Sequence, residues 1–186
     1  SHRPRAILAG CVLPMTGPPI EQGGVAWRGD RILAVGPREE ILRMGPRVLA
    51  DDPQAILMPG LINGHTHLPM TLFRGVADDV SFHDWLFERI LPLEAKLVSK
   101  AFVRDGIELA LLECIRFGVT TVNEMYFFCA EEAAAIDHAG LRAILAQTMA
   151  SFPLPEDKTV GLDKFAIVEK LRKKYSRHPR LIIGYG

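Results

Sequence analysis

The spacing of apolar residues changes near residue 58. Before this point the apolar runs are short and separated by Gly and Pro, which is typical of small β-strands. Two of these runs flank Arg28-Gly29-Asp30, so we expect a β-hairpin there. After residue 58, strand-like apolar runs alternate with stretches of helical period, and this order predicts βαβ units in a parallel sheet. The four parallel strands are predicted near residues 61–65, 119–124, 143–149 and 181–185.

Helical periodicity accounts for much of the sequence between these strands. Gly118 and Gly140 follow two of the periodic stretches, where they supply C-terminal stops. A further stretch, Phe82–Leu97, is helical in character but broken at Pro92. The remaining predicted helices are Ala101–Phe117, Glu131–Ala139 and Leu162–Tyr175.

The composition is that of an ordinary globular protein. Hydrophobic residues make up 48% of the 186 positions, and 22 Lys and Arg balance 22 Asp and Glu. This profile excludes a disordered chain, and zero net charge gives no basis for binding nucleic acid. No apolar run reaches the roughly 18 residues of a membrane span. The three cysteines, Cys11, Cys114 and Cys129, are irregularly spaced, so we expect thiols, no disulfides and a cytoplasmic location.

The strongest chemical signal is His65-Thr66-His67, at the C-terminal end of the first parallel strand. Residues i and i+2 of a strand point to the same face, so both imidazoles can reach one metal ion. Active sites of α/β sheets and barrels gather at this end of the strands. We therefore predict that His65 and His67 bind a metal. The chain has no Pro-Cys-x-x-Cys sequence, which excludes the cysteine-ligated type of nucleobase deaminase.

Two histidines do not complete a catalytic zinc site, which takes three protein ligands and an open position. The other candidates are placed poorly, because His83 and His138 lie in helical stretches and His178 precedes its strand. We therefore expect the missing ligands beyond residue 186.

Carboxylates and aromatic residues near the same sheet end have two interpretations each. Glu94 is either a solvated helix carboxylate or part of the site, and Glu124 either faces the site or binds a loop. Trp85, with Phe82 and Leu86, either roofs a pocket over an aromatic substrate or packs in the core.

The sequence from Met58 to His67, Met-Pro-Gly-Leu-Ile-Asn-Gly-His-Thr-His, resembles the opening motif of the amidohydrolase superfamily. The continuation is more specific: Leu68–Asp79, then Trp85-Leu86 and Leu91-Pro92-Leu93-Glu94. It resembles the 5′-methylthioadenosine/S-adenosylhomocysteine deaminases and the related triazine chlorohydrolases. The resemblance extends over nearly the whole chain.

The resemblance implies an α/β fold with two domains. Residues 3–57 correspond to the N-terminal part of a small β-sandwich. Residues 58–186 correspond to the first four βα units of a (β/α)8 barrel, which is incomplete here because a whole barrel takes about 250 residues. An unpaired half-barrel has exposed edges, so we expect it to need the remaining half or another copy of the chain.

The resemblance also implies roles for individual residues, and it implies that the catalytic residues lie beyond residue 186. His65 and His67 correspond to metal ligands, with zinc as the expected ion and iron as the alternative. Glu94 corresponds to the position that binds the ribose hydroxyls. Gln147 stands where some members carry an Arg near the distal end of the substrate, so Gln147 is expected at the substrate-binding site without that charge.

The implied function is metal-assisted hydrolytic deamination of adenosine-type nucleosides, in which activated water attacks the amine-bearing ring carbon. The residues present predict no catalysis by the 186-residue chain alone. Two alternatives stay open. One is another amidohydrolase, such as a guanine or cytosine deaminase or a triazine chlorohydrolase. The other is a non-catalytic half-barrel that pairs with a second chain.

Overall fold

A computed structural model describes residues 3–158 and 163–186 of the chain. The chain divides into two compact units, Ser1–Pro59 and Gly60–Gly186. Leu162, the predicted first residue of the last helix, lies outside the described residues. No helix in the described ranges is long and apolar enough to span a membrane.

The first unit is a four-stranded sheet of order β3-β2-β1-β4 with one short helix. Arg28 and Arg31 are paired, so the predicted hairpin between β2 and β3 is confirmed, and Gly29 takes the positive φ that its turn requires. Strand β4 pairs in parallel with β1 and continues through Pro53, which an edge strand tolerates. The elements are β1 (Arg5–Val12), β2 (Ile20–Arg28), β3 (Arg31–Pro37), α1 (Arg38–Arg43) and β4 (Arg47–Leu57).

The second unit is an α/β structure whose four strands are all parallel, in the order β5-β6-β7-β8. The predicted fold class and all four predicted parallel strands are confirmed, with boundaries that shift by up to two residues. The strands are β5 (Leu61–Thr66), β6 (Val119–Tyr126), β7 (Arg142–Gln147) and β8 (Leu181–Tyr185). The helices are α2 (Leu91–Leu97), α3 (Lys100–Arg116), α4 (Cys129–Ala139) and α5 (Lys164–Lys174).

Local chemistry explains where these helices begin and end. The Ser99 side chain accepts a hydrogen bond from the Phe102 N–H and caps α3, while Gly118 and Gly140 adopt positive φ after α3 and α4. At Pro92, where the sequence predicted a break, the helix instead changes from π-helical to α-helical hydrogen bonding. A π-helical turn, Asp84–Ile90, runs directly into α2, because Pro92 has no N–H and its ring excludes ordinary α-helical pairing with the preceding turn.

One face of the parallel sheet packs against helices α3, α4 and α5. Val122 and Leu145 of the sheet meet Ile107, Ile136 and Val168 of the three helices, and all five are fully buried. The opposite face carries exposed apolar side chains at alternate positions, namely Ile62, Ile144 and Ile182.

Candidate metal and substrate site

A cavity of about 480 Å³ lies where the parallel strands β5, β6 and β7 end. We call it the histidine cavity. His65 and His67 line it at the end of β5, Tyr126 at the end of β6, and Thr148 just after β7. The other lining residues are Met70, Phe82, Trp85, Leu86, Ile90, Glu94, Met125 and Phe127. Three of the predicted sites therefore meet here: the histidine pair, Glu94 and Trp85.

The two histidine rings lie side by side. Their centroids are 5.0 Å apart, with an angle of 80° between the ring planes. Strand β5 ends at Thr66, and His67 precedes a short 3-10 helix, Leu68–Phe73, so both rings leave the backbone on the cavity side. The i, i+2 geometry expected of a strand holds up to the point where the chain turns.

The backbone of β6 fixes the proton position on His67. Its Nδ1 atom lies within hydrogen-bond distance of the Met125 carbonyl oxygen. A carbonyl oxygen only accepts, so Nδ1 carries the hydrogen and the lone pair lies on Nε2. Metal-binding histidines are typically oriented by this kind of contact.

The two histidines fit part of the ligand set of a metal centre. Imidazole is a ligand that zinc prefers, and His67 has the tautomer that a ligand needs. Within residues 3–158 and 163–186, no three His, Cys, Asp or Glu side chains form a metal-binding group. The described residues thus offer two imidazoles, and a catalytic centre needs a further ligand.

Glu124 binds the loop that follows the histidines. It is fully buried, and both its oxygens accept the backbone N–H of Leu68, at 3.0 and 2.9 Å. Of the two interpretations of Glu124, the structure therefore favours the loop contact. Buried Glu132 of α4 lies beneath it. Burial raises the pKa of Glu132, and the charge of Glu124 raises it further.

Glu94 enters the cavity from α2 and is buried, with 5% of its surface exposed. The Tyr126 hydroxyl donates a hydrogen bond of 2.8 Å to Glu94 Oε1. Burial raises the pKa of Glu94, and the bond from Tyr126 opposes this rise. Burial and the nearby carboxyl also raise the pKa of Tyr126, so its hydroxyl keeps the proton that it donates.

Aromatic side chains form the apolar wall of the cavity. The Phe82 and Trp85 rings are stacked, with centroids 5.9 Å apart. The centroid of the Tyr126 ring lies 4.6 Å from that of Phe127 and 6.3 Å from that of His67. An apolar cavity with a few convergent polar groups is the usual form of a small-molecule site.

Gln147 is not brought together with the other predicted site residues. It lines a second cavity of about 450 Å³, which we call the lysine cavity after Lys100, Lys170 and Lys174 in its wall. Its side-chain nitrogen donates to Glu156 Oε1 at 2.5 Å and to its neighbour's carbonyl. Gln147 shares the face of Leu145, which points into the core under the helices. Its bond to Glu156 directs the side chain into the lysine cavity, so the structure does not bring it together with the histidine pair and Glu94.

Several residues of the histidine cavity were not singled out by the sequence analysis, among them two residues of β6. Met125 and Tyr126 belong to β6, which was predicted to end at Glu124 but continues for two residues. The apolar run Met-Tyr-Phe-Phe directly after Glu124 is the signal that could have extended the strand.

The chain matches the model of the amidohydrolase family over residues 56–181, which is more than half of its length. The chain belongs to the amidohydrolase family. The resemblance inferred from its first motif is confirmed.

Similar proteins are deaminases. A 5-methylthioadenosine/S-adenosylhomocysteine deaminase 1 of Syntrophus aciditrophicus is 41% identical over 181 residues, covering 96% of this chain and 41% of that protein. A 5'-deoxyadenosine deaminase of Methanothrix thermoacetophila is 48% identical over 118 residues, covering 63% of this chain and 28% of that protein. The crystal structure of an adenosine deaminase from Xanthomonas campestris with bound zinc superposes with a TM-score of 0.87, at 36% identity. That match covers 97% of this chain and 42% of the other, so the chain spans less than half the length of these relatives.

Proposed function

We propose that this chain forms the first part of a metal-dependent enzyme that hydrolytically deaminates adenosine-type nucleosides, with 5′-methylthioadenosine and S-adenosylhomocysteine as the substrate class. The observation that carries the proposal is the histidine cavity. It combines paired imidazoles, a buried carboxylate and an aromatic wall. The names of the similar proteins favour a nucleoside over a triazine or a free base.

His65 and His67 are the proposed metal ligands of this chain, with zinc as the proposed ion. When bound, the ion supplies the Lewis acidity that makes water nucleophilic near neutral pH. The residues around the pair have supporting roles. The Met125 carbonyl keeps the Nε2 lone pair of His67 available, and Glu124 fixes the backbone at Leu68, directly after His67.

Glu94 and Trp85 are the proposed substrate-binding residues. A carboxylate only accepts hydrogen bonds, and adjacent ribose hydroxyls provide two donors, so Glu94 is suited to bind the sugar. Trp85 offers an apolar surface for the base or for the 5′ substituent. The three free cysteines agree with the proposed cytoplasmic location.

The test is to incubate the purified full-length protein with a panel of substrates and to measure the release of ammonia. We expect turnover of 5′-methylthioadenosine, S-adenosylhomocysteine and 5′-deoxyadenosine, loss of turnover after chelation, and recovery with zinc. Preferred turnover of guanine, cytosine or a triazine would contradict the proposal in favour of another amidohydrolase reaction. No turnover of any compound by metal-loaded protein would favour a non-catalytic role.

A further inference from the structure

The histidine cavity contains one buried polar contact that neither the motif nor the metal requires, the bond between Tyr126 and Glu94. Tyr126 lies at the C-terminal end of β6, and Glu94 lies in α2, 32 positions earlier in the chain. Both side chains are buried, at 3% and 5% exposure, so their bond is made away from bulk water. A hydrogen bond to a charged group in such surroundings is stronger than one at the surface.

The two carboxylate oxygens of Glu94 differ in their hydrogen bonding. Oε1 accepts the tyrosine hydroxyl, whereas Oε2 accepts no hydrogen bond from any residue in the described part of the chain. The carboxylate lines the cavity, so Oε2 is the oxygen available to a ligand. A carboxylate without the tyrosine contact would be free to rotate and easier to protonate, because burial already disfavours its charge.

The ring of Tyr126 is itself fixed. It packs against Phe127 within a hydrophobic cluster that also contains Phe73 and Ile90, and it lies beside the His67 ring. Its hydroxyl therefore has a defined position relative to the predicted metal ligand. Rigid support of this kind keeps binding groups in the geometry that a substrate needs.

We propose that Tyr126 is a positioning residue that holds Glu94 as a charged, oriented acceptor for the vicinal hydroxyls of the substrate's sugar. This inference rests on the proposed function, because it assigns the sugar to Glu94. Tyr126 touches no reacting atom, so its contribution is to substrate affinity and to selection of ribosyl over deoxyribosyl compounds, with the chemical step left unchanged.

The test is Tyr126→Phe in the full-length, metal-loaded protein, compared on two substrates. We expect KM for 5′-methylthioadenosine to rise about tenfold, because the lost bond is made to a charged group, with kcat within about twofold. We expect KM for 2′,3′-dideoxyadenosine, which lacks the hydroxyl pair, to change by less than about twofold. The matched control is Tyr175→Phe, a buried tyrosine outside the histidine cavity, which should change neither value.

A second variant separates positioning from a structural role. Glu94→Gln should raise KM for the ribosyl substrate by itself, and adding Tyr126→Phe to it should have little further effect, because the two changes remove one coupled interaction. Equal rises for both substrates, no rise, or full additivity with Glu94→Gln would overturn the inference. A wild-type protein that deaminates neither nucleoside would overturn the proposed function itself, which distinguishes the two failures.

Discussion

The two cavities at the C-terminal end of the parallel sheet are of similar volume but differ in chemistry. In the histidine cavity, His67 and Glu94 are each held by one hydrogen bond, to Met125 and from Tyr126, and each keeps a further acceptor atom, Nε2 of His67 and Oε2 of Glu94. In the lysine cavity, the buried polar groups bind one another: Gln147 donates to Glu156, which also accepts the backbone N–H of Phe128 at 2.7 Å. Buried polar groups that satisfy each other stabilise a fold, whereas groups left available bind ligands.

The Phe128 contact explains what the second arrangement does for the fold. Phe128 has a left-handed backbone, with φ of 55°, at the start of α4. This conformation is unfavourable for a residue with a side chain, and the bond from its N–H to Glu156 offsets part of that cost. A residue's position at the end of a strand is therefore not enough to identify it as a site residue.

Removing either histidine of the histidine cavity should have the greatest effect, and the affected quantity is zinc affinity. His65→Ala and His67→Ala should each lower zinc affinity of the full-length protein by more than about 100-fold, because even the loss of an outer partner of a ligand costs about 10- to 100-fold. Zinc content after dialysis against a chelator measures this. His138→Ala, an exposed histidine of α4, is the control and should keep its zinc. Unchanged zinc content in both cavity variants would refute the assignment.

The next effect is on the pH dependence of stability, which depends on the buried carboxyl of Glu132. Because the pKa of Glu132 is raised in the folded state, the folded chain holds a proton at pH values where the unfolded chain has already released it. The free energy of unfolding should therefore fall, by up to about 1.4 kcal/mol for each pH unit, as the pH rises from the ordinary carboxyl range through the raised pKa. This stability is present at acid pH and is lost as pH rises through the raised pKa.

Glu132→Gln keeps the shape of the side chain and removes its titration. Denaturant unfolding at several pH values should show a flatter profile for Glu132→Gln, with a gain in stability at pH 8. Glu108→Gln, an exposed position of α3, should keep the wild-type slope. An unchanged slope in Glu132→Gln would show that another group carries the pH dependence.

A smaller effect tests the aromatic wall. Trp85→Ala should raise KM for the nucleoside about tenfold, because it removes apolar surface from the wall of the proposed substrate cavity. Trp27→Ala provides a matched control, since Trp27 is equally half-buried but belongs to the first unit. Steady-state kinetics measure both. If Trp85→Ala lowers stability but leaves KM unchanged, the alternative of simple core packing is correct.

The smallest effect tests the lysine cavity. Gln147→Ala should reduce the free energy of unfolding by about 1 kcal/mol, because it removes a buried donor to Glu156. KM for 5′-methylthioadenosine should stay within about twofold of wild type. A large rise in KM with unchanged stability would return Gln147 to the substrate site and erase the distinction between the two cavities.

The sequence predicted those parts of the molecule that depend on periodicity and on local chemistry. The four parallel strands and the hairpin at Arg28–Arg31 follow from alternation and turn residues. The convergence of His65 and His67 follows from their spacing, and the place of Glu94 came from the resemblance to a known family.

What could not be predicted depends on where a strand ends and which way its last side chain points. The structure extends β6 by two residues, which adds Tyr126 to the histidine cavity. Gln147, the partner of Tyr126 in the sheet register, instead bonds to Glu156 and lines the lysine cavity. Sequence patterns leave strand boundaries uncertain by more than one residue, so they do not fix such positions. The contact between Tyr126 and Glu94 joins distant segments, so no local pattern indicates it.

The paired imidazoles at the end of β5 are the proposed ligands for the metal of a hydrolytic centre. Their role is tested most directly by an anomalous difference map at the zinc edge from crystals of the zinc-loaded, full-length protein. We predict one strong peak in the histidine cavity, about 2.0–2.1 Å from Nε2 of His67 and from a ring nitrogen of His65. A peak elsewhere, or an empty cavity in zinc-loaded protein, would contradict the account.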